Sequence, residues 1–246
     1  MEGIHVALSA EQLGTFFGVP ITNTLITSWI VLVLLVVFAV IAGGRVRLIP
    51  SRIQTLLELI FGFVYDYVAE ILESRALARA FFPLLVTLFL FIFTANMLEF
   101  TPGIGSVGFE KEYGQGFTPL LRSVNTDLNV TLALAAISFI VIEITGVVVL
   151  GLKKYTGKFL NFHSVIDFFV GIIEIFSELA RLIAFSFRLF GNIIAGEILI
   201  LVAMYFVPYV APVPLMAFEV FVGFIQAAIF SVLTLFFIKL AITPAH

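Results

Sequence analysis

The sequence predicts an all-α polytopic membrane protein, with about five transmembrane helices and one amphipathic helix on the membrane surface. Of its 246 residues, 61% are hydrophobic and 12% are charged, and the mean hydropathy is +1.18. A chain of this composition has too little polar surface to coat a water-soluble globule. Long apolar runs recur along it, and a charged stretch with helical spacing separates the first two. We expect a single membrane domain that extends over residues 1–246.

The five predicted spans are apolar runs of sufficient length. A helix needs about 20 predominantly apolar residues to cross about 30 Å of hydrocarbon. The first run contains no charged residue, the second contains none between Phe81 and Leu98, and the third contains only Glu143. The last two runs are longer and carry charged groups. The predicted spans cover residues 21–43, 80–99, 128–152, 164–207 and 212–242.

Residues 50–78 are predicted to form the surface helix. Asp66, Glu70 and Glu73 follow one another at i, i+4 and i+7 among Leu, Ile and Phe residues, so they share one face. A helix with such separated polar and apolar faces lies in the membrane interface. Pro50 suits its first turn, where a backbone N–H has no helical partner in any case.

The last two predicted spans are too long to cross the membrane upright. As a continuous helix, residues 164–207 would measure about 66 Å, roughly twice the hydrocarbon thickness, and the fifth stretch about 45 Å. Helices of this length must tilt strongly or break. We therefore predict that the two helices form a strongly tilted hairpin, joined at the turn PYVAPVP, residues 208–214. The broad face of this hairpin suits a curved neighbour.

The distribution of Lys and Arg predicts the orientation. The side of the predicted spans that is poor in these residues has Lys111 and Arg122. By the positive-inside rule, the N-terminus is outside and the C-terminus is cytoplasmic, which five spans permit. Nine of the thirteen Lys and Arg residues fall on the predicted cytoplasmic side, namely Arg45, Arg47, Arg52, Arg75, Arg79, Lys153, Lys154, Lys158 and Lys239.

The fourth predicted span carries a stripe of polar side chains. At about 100° per residue, five of them fall within a sector of about 80°, and Glu197 points about 140° away from the first. An ionised side chain in hydrocarbon costs at least about 2.5–3.5 kcal/mol. We therefore expect these groups to face protein or water. The stripe consists of Glu174, Glu178, Arg181, Arg188 and Asn192.

The fifth predicted span has a shorter polar face. Glu219, Gly223 and Gln226 follow at i, i+4 and i+7. Antiparallel packing of the last two spans would bring this face toward the fourth span. The carboxyl of Glu219 then lies on the same side of Arg188 as that of Glu197.

Several polar residues allow a second interpretation. Arg181 and Glu178, three residues apart, fit an ion pair as well as a conducting role. Glu143 fits a place in a conducting path and equally a structural hydrogen bond. Asn192 fits an orienting contact with Arg188 or a hydrogen bond between helices.

The outer ends of the second and third predicted spans carry further polar residues. Asn96, Glu99 and Asp127 lie there and are candidates for lining a path into the membrane. Asp127 immediately precedes an apolar run, however, which favours a helix N-cap.

The sequence also excludes several classes of site. The chain has no cysteine, which excludes disulfides and thiolate metal sites. His5, His163 and His246 lack ligand spacing, so neither a metal nor a cofactor is expected. GLKKYTGKF from Gly151 is similar to a phosphate loop, but Phe159 stands where Ser or Thr is needed. We expect no direct nucleotide binding and no nucleic-acid partner.

Four segments resemble subunit a of the F-type ATP synthase, in the order of that family. They are TANMLEFTPG from residue 94, NTDLNVTLALA from 125, SFRLFGNIIAGE from 186 and GFIQAAIF from 223. The similarity covers most of the chain from about residue 50 onward. It implies a proton-translocating stator subunit with two offset half-channels, which couples proton flow to ring rotation and ATP synthesis.

The resemblance assigns roles to particular residues. Arg188 matches the essential arginine that faces the carboxylates of the c-ring and separates the half-channels. Glu197, Gln226 and Asn96 match the inlet. Glu219 occupies a position that holds a histidine in some relatives, which predicts a carboxylate pair with Glu197 as the inlet relay.

The opposite half-channel would be lined from the cytoplasmic side. The fourth span enters from the Lys-rich loop, so Glu174 and Glu178 lie on the cytoplasmic side of Arg188, and Glu143 lies toward the same half of the third span. Glu174 and Arg181 match polar positions of the family's helix, and the three acids are candidates for lining the outlet.

The resemblance also implies partners and a location. They are the c-subunit ring, the peripheral-stalk b subunits, the remainder of the complex and the lipid bilayer of a bacterial plasma membrane. The chain itself would not catalyse ATP synthesis. A secondary transporter and a charge-pinned scaffold are the alternatives. Against a scaffold, the spans hold five Glu but two Arg, which leaves three acids over.

Overall fold

The computed structural model describes residues 10–44, 46–101, 107–110, 117–159 and 165–243. Within them, the predicted all-α polytopic membrane fold is confirmed. Five helices are long and apolar enough to cross a membrane. They are α1 (Asn23–Gly43), α3 (Arg75–Leu98), α4 (Leu128–Leu150), α6 (Val165–Phe206) and α7 (Pro212–Ile242); α2 (Arg52–Leu72) and α5 (Leu152–Phe159) lie between them. His5, His163 and His246, together with Arg45 and Lys111, lie outside the described residues.

The surface helix is shorter than predicted, and the second span is longer. The helix α2 ends at Leu72 because Glu73 adopts a left-handed conformation with φ 52°. Ser74 then caps α3 by accepting a hydrogen bond from the backbone N–H of Leu77 at 3.3 Å. The predicted boundary near residue 78 is therefore wrong, because a left-handed residue followed by an N-cap stops one helix and starts another.

The entrance of α2 also differs from the prediction. Ser51, rather than Pro50, caps the helix, and its hydroxyl accepts from the backbone N–H of Gln54 at 3.3 Å. At its other end, α2 is tied to the end of α7 by an ion pair between Glu73 and Lys239 at 3.1 Å. The side chains of Leu59 and Phe63 remain exposed on α2, as an amphipathic helix at a lipid surface requires.

A hairpin that the sequence analysis did not predict precedes α1. Its strands β1 (Gln12–Phe16) and β2 (Val19–Thr22) pair antiparallel across a two-residue turn. Two shorter strands, β3 (Gly108–Glu110) and β4 (Phe117–Pro119), pair in the loop between α3 and α4. We call the side of the bundle that carries both pairs the hairpin side.

Hydrogen bonds fasten the start of α1 to this loop. The hydroxyl of Thr24 donates to Asp127 at 2.8 Å, and the side-chain amide of Asn23 donates to the carbonyl of Pro119 at 3.2 Å. Asp127 also accepts from the backbone N–H of Asn129 at 2.9 Å and is the N-cap of α4. The N-cap interpretation of Asp127 is thus confirmed.

The last two long helices form a hairpin around residues 207–211. The helix α6 runs for 42 residues and α7 for 31, so α6 measures about 63 Å, well beyond the thickness of a bilayer. Both pack against α4, and α7 also packs against α3. Phe185 of α6 and Phe230 of α7 meet in the core with ring centroids 5.0 Å apart.

Candidate functional site

Arg188 lies on the outer face of α6. Its side chain is exposed, whereas Phe185 and Leu189 on either side of it point into the core. Small side chains accompany it on the exposed face, at Ala184, Gly191 and Ala195. The spacing of four, three and seven residues from Arg188 keeps all four on one side of a helix. A permanently charged guanidinium thus stands on a smooth strip that another helix can approach closely.

The residues of the predicted polar stripe of α6 differ in their exposure to solvent. Glu178 is buried and Arg181 is half-buried, whereas Arg188 is exposed. The stripe runs close to the border between the packed and open faces of the helix. Because α4, α5 and α7 cover different parts of α6, some residues of the stripe are buried and others are exposed.

A group of polar residues, which we call the hairpin-side cluster, lies beyond Arg188 toward the hairpin side. It joins the end of α3, the loop before α4, α6 and α7. The hydroxyl of Ser123 donates to Glu99 at 3.0 Å. The members of the cluster are Asn96, Glu99, Arg122, Ser123, Glu197 and Glu219.

Glu99 is the electrostatic centre of this cluster. The pKa of its carboxyl is raised from 4.5 to about 7, mainly by burial and also by the carboxylates of Glu197 and Glu219, against the lowering effects of Ser123 and Arg122. Both predicted inlet acids are therefore close enough to influence Glu99. The predicted pair becomes a group of three carboxyls.

Glu219 is held against α6 at a glycine. A Cβ added at Gly196 would overlap the carboxyl group of Glu219. The missing side chain therefore provides the space in which this carboxyl lies, directly beside the backbone of the residue before Glu197. One oxygen of Glu197, Oε2, is shielded from solvent and has no hydrogen-bond partner among the described residues.

Asn96 connects three elements below Glu99. It is 1% exposed. Its amide donates to the backbone carbonyl of Gly223 at 3.0 Å, and its carbonyl accepts from the side chain of Asn125 at 2.6 Å. It thus joins α3, α7 and the loop before α4. The other two predicted polar residues, Asn192 and Gln226, are half-buried on α6 and α7.

A second group, the opposite-side cluster, lies on the other side of Arg188 along α6. It consists of Glu143, Tyr155, Glu178 and Arg181. Arg181 and Glu178 form the i, i+3 ion pair that their spacing allows, at 2.6 Å, and the guanidinium lies over the ring of Phe237 at 4.2 Å. Tyr155 of α5 donates a hydrogen bond to Glu143 at 2.7 Å.

The structure thus groups most of the predicted site residues and adds others. Glu174 lies half-buried on α6, one turn before Glu178. Arg122, Ser123 and Tyr155 were not predicted, because they lie in connecting segments whose packing is not encoded by helical periodicity. The order of acids along α6 indicated that two clusters exist. It did not indicate which loop residues complete them.

Comparison with known proteins identifies the family of this chain. A family model described as ATP synthase A chain matches residues 25–239. ATP synthase subunit a of Moorella thermoacetica is 30% identical over 220 residues, covering 89% of this chain and 90% of the relative. That of Citrifermentans bemidjiense is 30% identical, with 91% and 89% covered, and that of Desulfosudis oleivorans is 30% identical, with 96% and 95% covered. The chain belongs to the ATP synthase A chain family.

Proposed function

We propose that this chain provides two offset proton half-channels, which meet at Arg188 and exchange protons with the carboxylates of a rotating c-ring. Membership of the family supports the broader statement that it is a proton-translocating stator subunit of an F-type ATP synthase. Its part is non-catalytic. It converts proton flow into rotation, and ATP is made elsewhere in the complex.

One observation carries the proposal: the outward-facing guanidinium of Arg188 lies along α6 between two separate acid clusters. Glu197 is nine residues beyond it, about 14 Å along the helix, and Glu178 is ten residues before it, about 15 Å. A guanidinium does not release its proton. It can therefore attract a carboxylate of the ring, yet it cannot pass a proton directly from one cluster to the other.

The inlet is assigned to the hairpin-side cluster. Glu99 lies near the end of α3, where the chain leaves the membrane, and it faces both Glu197 and Glu219. A proton taken up at Glu99 would pass to these acids and then to a ring carboxylate close to Arg188. With a pKa of about 7, Glu99 both binds and releases a proton near neutral pH. Asn96 and Gln226 would orient the path, and Asn192 would orient Arg188.

The outlet is assigned to the opposite-side cluster together with Glu174. A protonated ring carboxylate turns through lipid in its neutral form and releases its proton beside Arg188. Glu174, Glu178 and Glu143 would accept it on its way to the second aqueous phase. Each charge that crosses 100 mV supplies about 2.3 kcal/mol for rotation.

The partners and the sidedness complete the proposal. The strip of small residues around Arg188 would face the c-ring. The b subunits of the peripheral stalk would hold the chain against rotation. The hairpin side would be the outer side of a bacterial plasma membrane, as the Lys and Arg count favours, and the end of α7 would be cytoplasmic.

Replacement of Arg188 tests the function directly. In inverted membrane vesicles that contain the whole complex, Arg188→Ala should abolish ATP-driven proton pumping. Arg188→Lys should reduce it by at least about 100-fold, because an ammonium can lose its proton and lacks the planar fork. Arg47→Lys, on an exposed loop far from the clusters, is the matched control and should pump at the parental rate. Parental pumping by Arg188→Lys would overturn the proposal.

Cysteine labelling tests the sidedness. The native chain has no cysteine, so single cysteines report without background. Val107→Cys on the hairpin side and Thr156→Cys on α5 both replace exposed residues. We expect an impermeant maleimide to label the first from outside the cell and the second only in inverted vesicles. The reverse pattern would exchange the inlet and the outlet.

A further inference from the structure

The short helix α5 is attached to the bundle through Tyr155. This side chain is 3% exposed, although Lys153, Lys154 and Thr156 around it are exposed. Its hydroxyl donates to Oε2 of Glu143 at 2.7 Å. This hydrogen bond joins a connecting segment to an acid inside a predicted membrane span.

The ring of Tyr155 fits a space that a glycine provides. A Cβ added at Gly146, one turn from Glu143 on α4, would overlap the ring. On its other side the ring meets Phe159, with centroids 5.5 Å apart. These contacts need only an aromatic ring, and phenylalanine would satisfy them. The hydroxyl is therefore not required for packing.

The hydroxyl also lies near the ion pair of α6. Burial raises the pKa of the Tyr155 phenol, the hydrogen bond to Glu143 and the carboxylates of Glu143 and Glu178 raise it further, and Arg181 opposes them. The phenol therefore keeps its proton at physiological pH and remains a hydrogen-bond donor. The charged groups that face it are Glu143 from α4 and Glu178 with Arg181 from α6.

We propose that Tyr155 is a positioning residue for the half-channel on this side, whose hydroxyl holds the Glu143 carboxyl beside the Glu178–Arg181 pair. Two acids on facing helices are thereby kept within reach of the same proton. Proton transfer falls off steeply when donor and acceptor are misplaced, so an acid that swings away from the pair contributes little. This inference rests on the proposed function, because the position of Glu143 matters only if protons pass on this side.

A double-mutant cycle in inverted vesicles with the whole complex tests the inference. Tyr155→Phe keeps the ring and removes the hydroxyl. We expect proton pumping, normalised to the amount of the subunit in the membrane, to fall at least about tenfold, in keeping with the loss of a hydrogen bond to a charged group. Glu143→Gln should also slow pumping. The variant with both changes should be no slower than Glu143→Gln alone, because the hydroxyl acts through that carboxyl.

Tyr67→Phe is the matched control, since Tyr67 of α2 is 40% exposed and belongs to neither of the two clusters. It should pump at the parental rate. Parental pumping by Tyr155→Phe, parental pumping by Glu143→Gln, or a double variant slowed by the product of the single effects would each overturn the inference. So would a loss of pumping fully explained by a smaller amount of subunit in the membrane.

Arg188→Ala separates this inference from the proposed function. If Arg188→Ala still pumps, the proposed function fails and the inference fails with it. If Arg188→Ala is inactive while Tyr155→Phe pumps as the parent does, the positioning role alone is overturned.

Discussion

The two acid clusters on either side of Arg188 are built in different ways. In the hairpin-side cluster, three carboxyls from the end of α3, from α6 and from α7 lie near one another. Ser123 and Arg122, in the loop before α4, favour the ionised form of Glu99. In the opposite-side cluster, the acid of α6 is paired with its own neighbour Arg181, and the acid of α4 accepts from Tyr155. The hairpin-side cluster therefore places acidic groups close to one another, whereas each acid of the opposite-side cluster is bound to a hydrogen-bond donor.

This difference suggests how one helix can serve two compartments. Carboxyls that lie close together share protons readily, because the ionisation of one raises the pKa of the others. An acid paired with a guanidinium or a phenol is instead held in a fixed place. We infer that the hairpin side is suited to loading protons and the opposite side to receiving them in a defined geometry.

Arg181→Gln breaks the opposite-side cluster most severely. It takes the guanidinium away from Glu178, whose side chain is 8% exposed. We expect a loss of about 2–3 kcal/mol in stability, since a buried charge then loses its opposite charge. Thermal unfolding of the purified complex measures it. Adding Glu178→Gln should recover part of the loss, and an Arg181→Gln variant as stable as the parent would contradict the pairing.

Glu219→Gln tests whether the gathered carboxyls conduct. Glutamine keeps the shape beside Gly196 and removes the titrating group. We expect proton uptake from the outer side to slow about tenfold, and Glu219→His to restore much of it, because an imidazole can relay a proton where an amide cannot. Pumping equal to the parent in Glu219→Gln vesicles from pH 6 to 9 would show that this residue is only structural.

Glu99→Gln should have the smallest effect of the three, a change in how the stability of the folded protein depends on pH. An acid whose pKa is raised from 4.5 to about 7 stabilises the folded state fully below pH 4.5, and this contribution is lost as the pH rises through about 7. The parent should therefore lose about 1 kcal/mol of stability between pH 5 and 8 that the variant keeps, after allowance for solvent screening. Identical pH profiles for the thermal unfolding midpoint would contradict the raised pKa.

The comparison also shows which parts of the site could be predicted. Arg188, Glu197 and Glu219 were identified from their place in apolar runs and from a family resemblance. The stripe on α6 predicted one face, yet Glu178 is buried and Arg188 is exposed. Helical spacing gives directions relative to the helix itself. It does not say where neighbouring helices lie.

Local sequence patterns suffice to predict the number of long apolar helices, the N-cap at Asp127 and the order of acids around Arg188. Each depends on residues close together in the chain, through transfer to hydrocarbon, a local hydrogen bond or helical rise. Long-range packing brings Glu99 close to Glu197 and Glu219, places the Glu219 carboxyl beside Gly196 and forms the hydrogen bond from Tyr155 to Glu143. Those contacts bring together residues from separate elements, and their free energy depends on the packing of the whole bundle rather than on any local pattern.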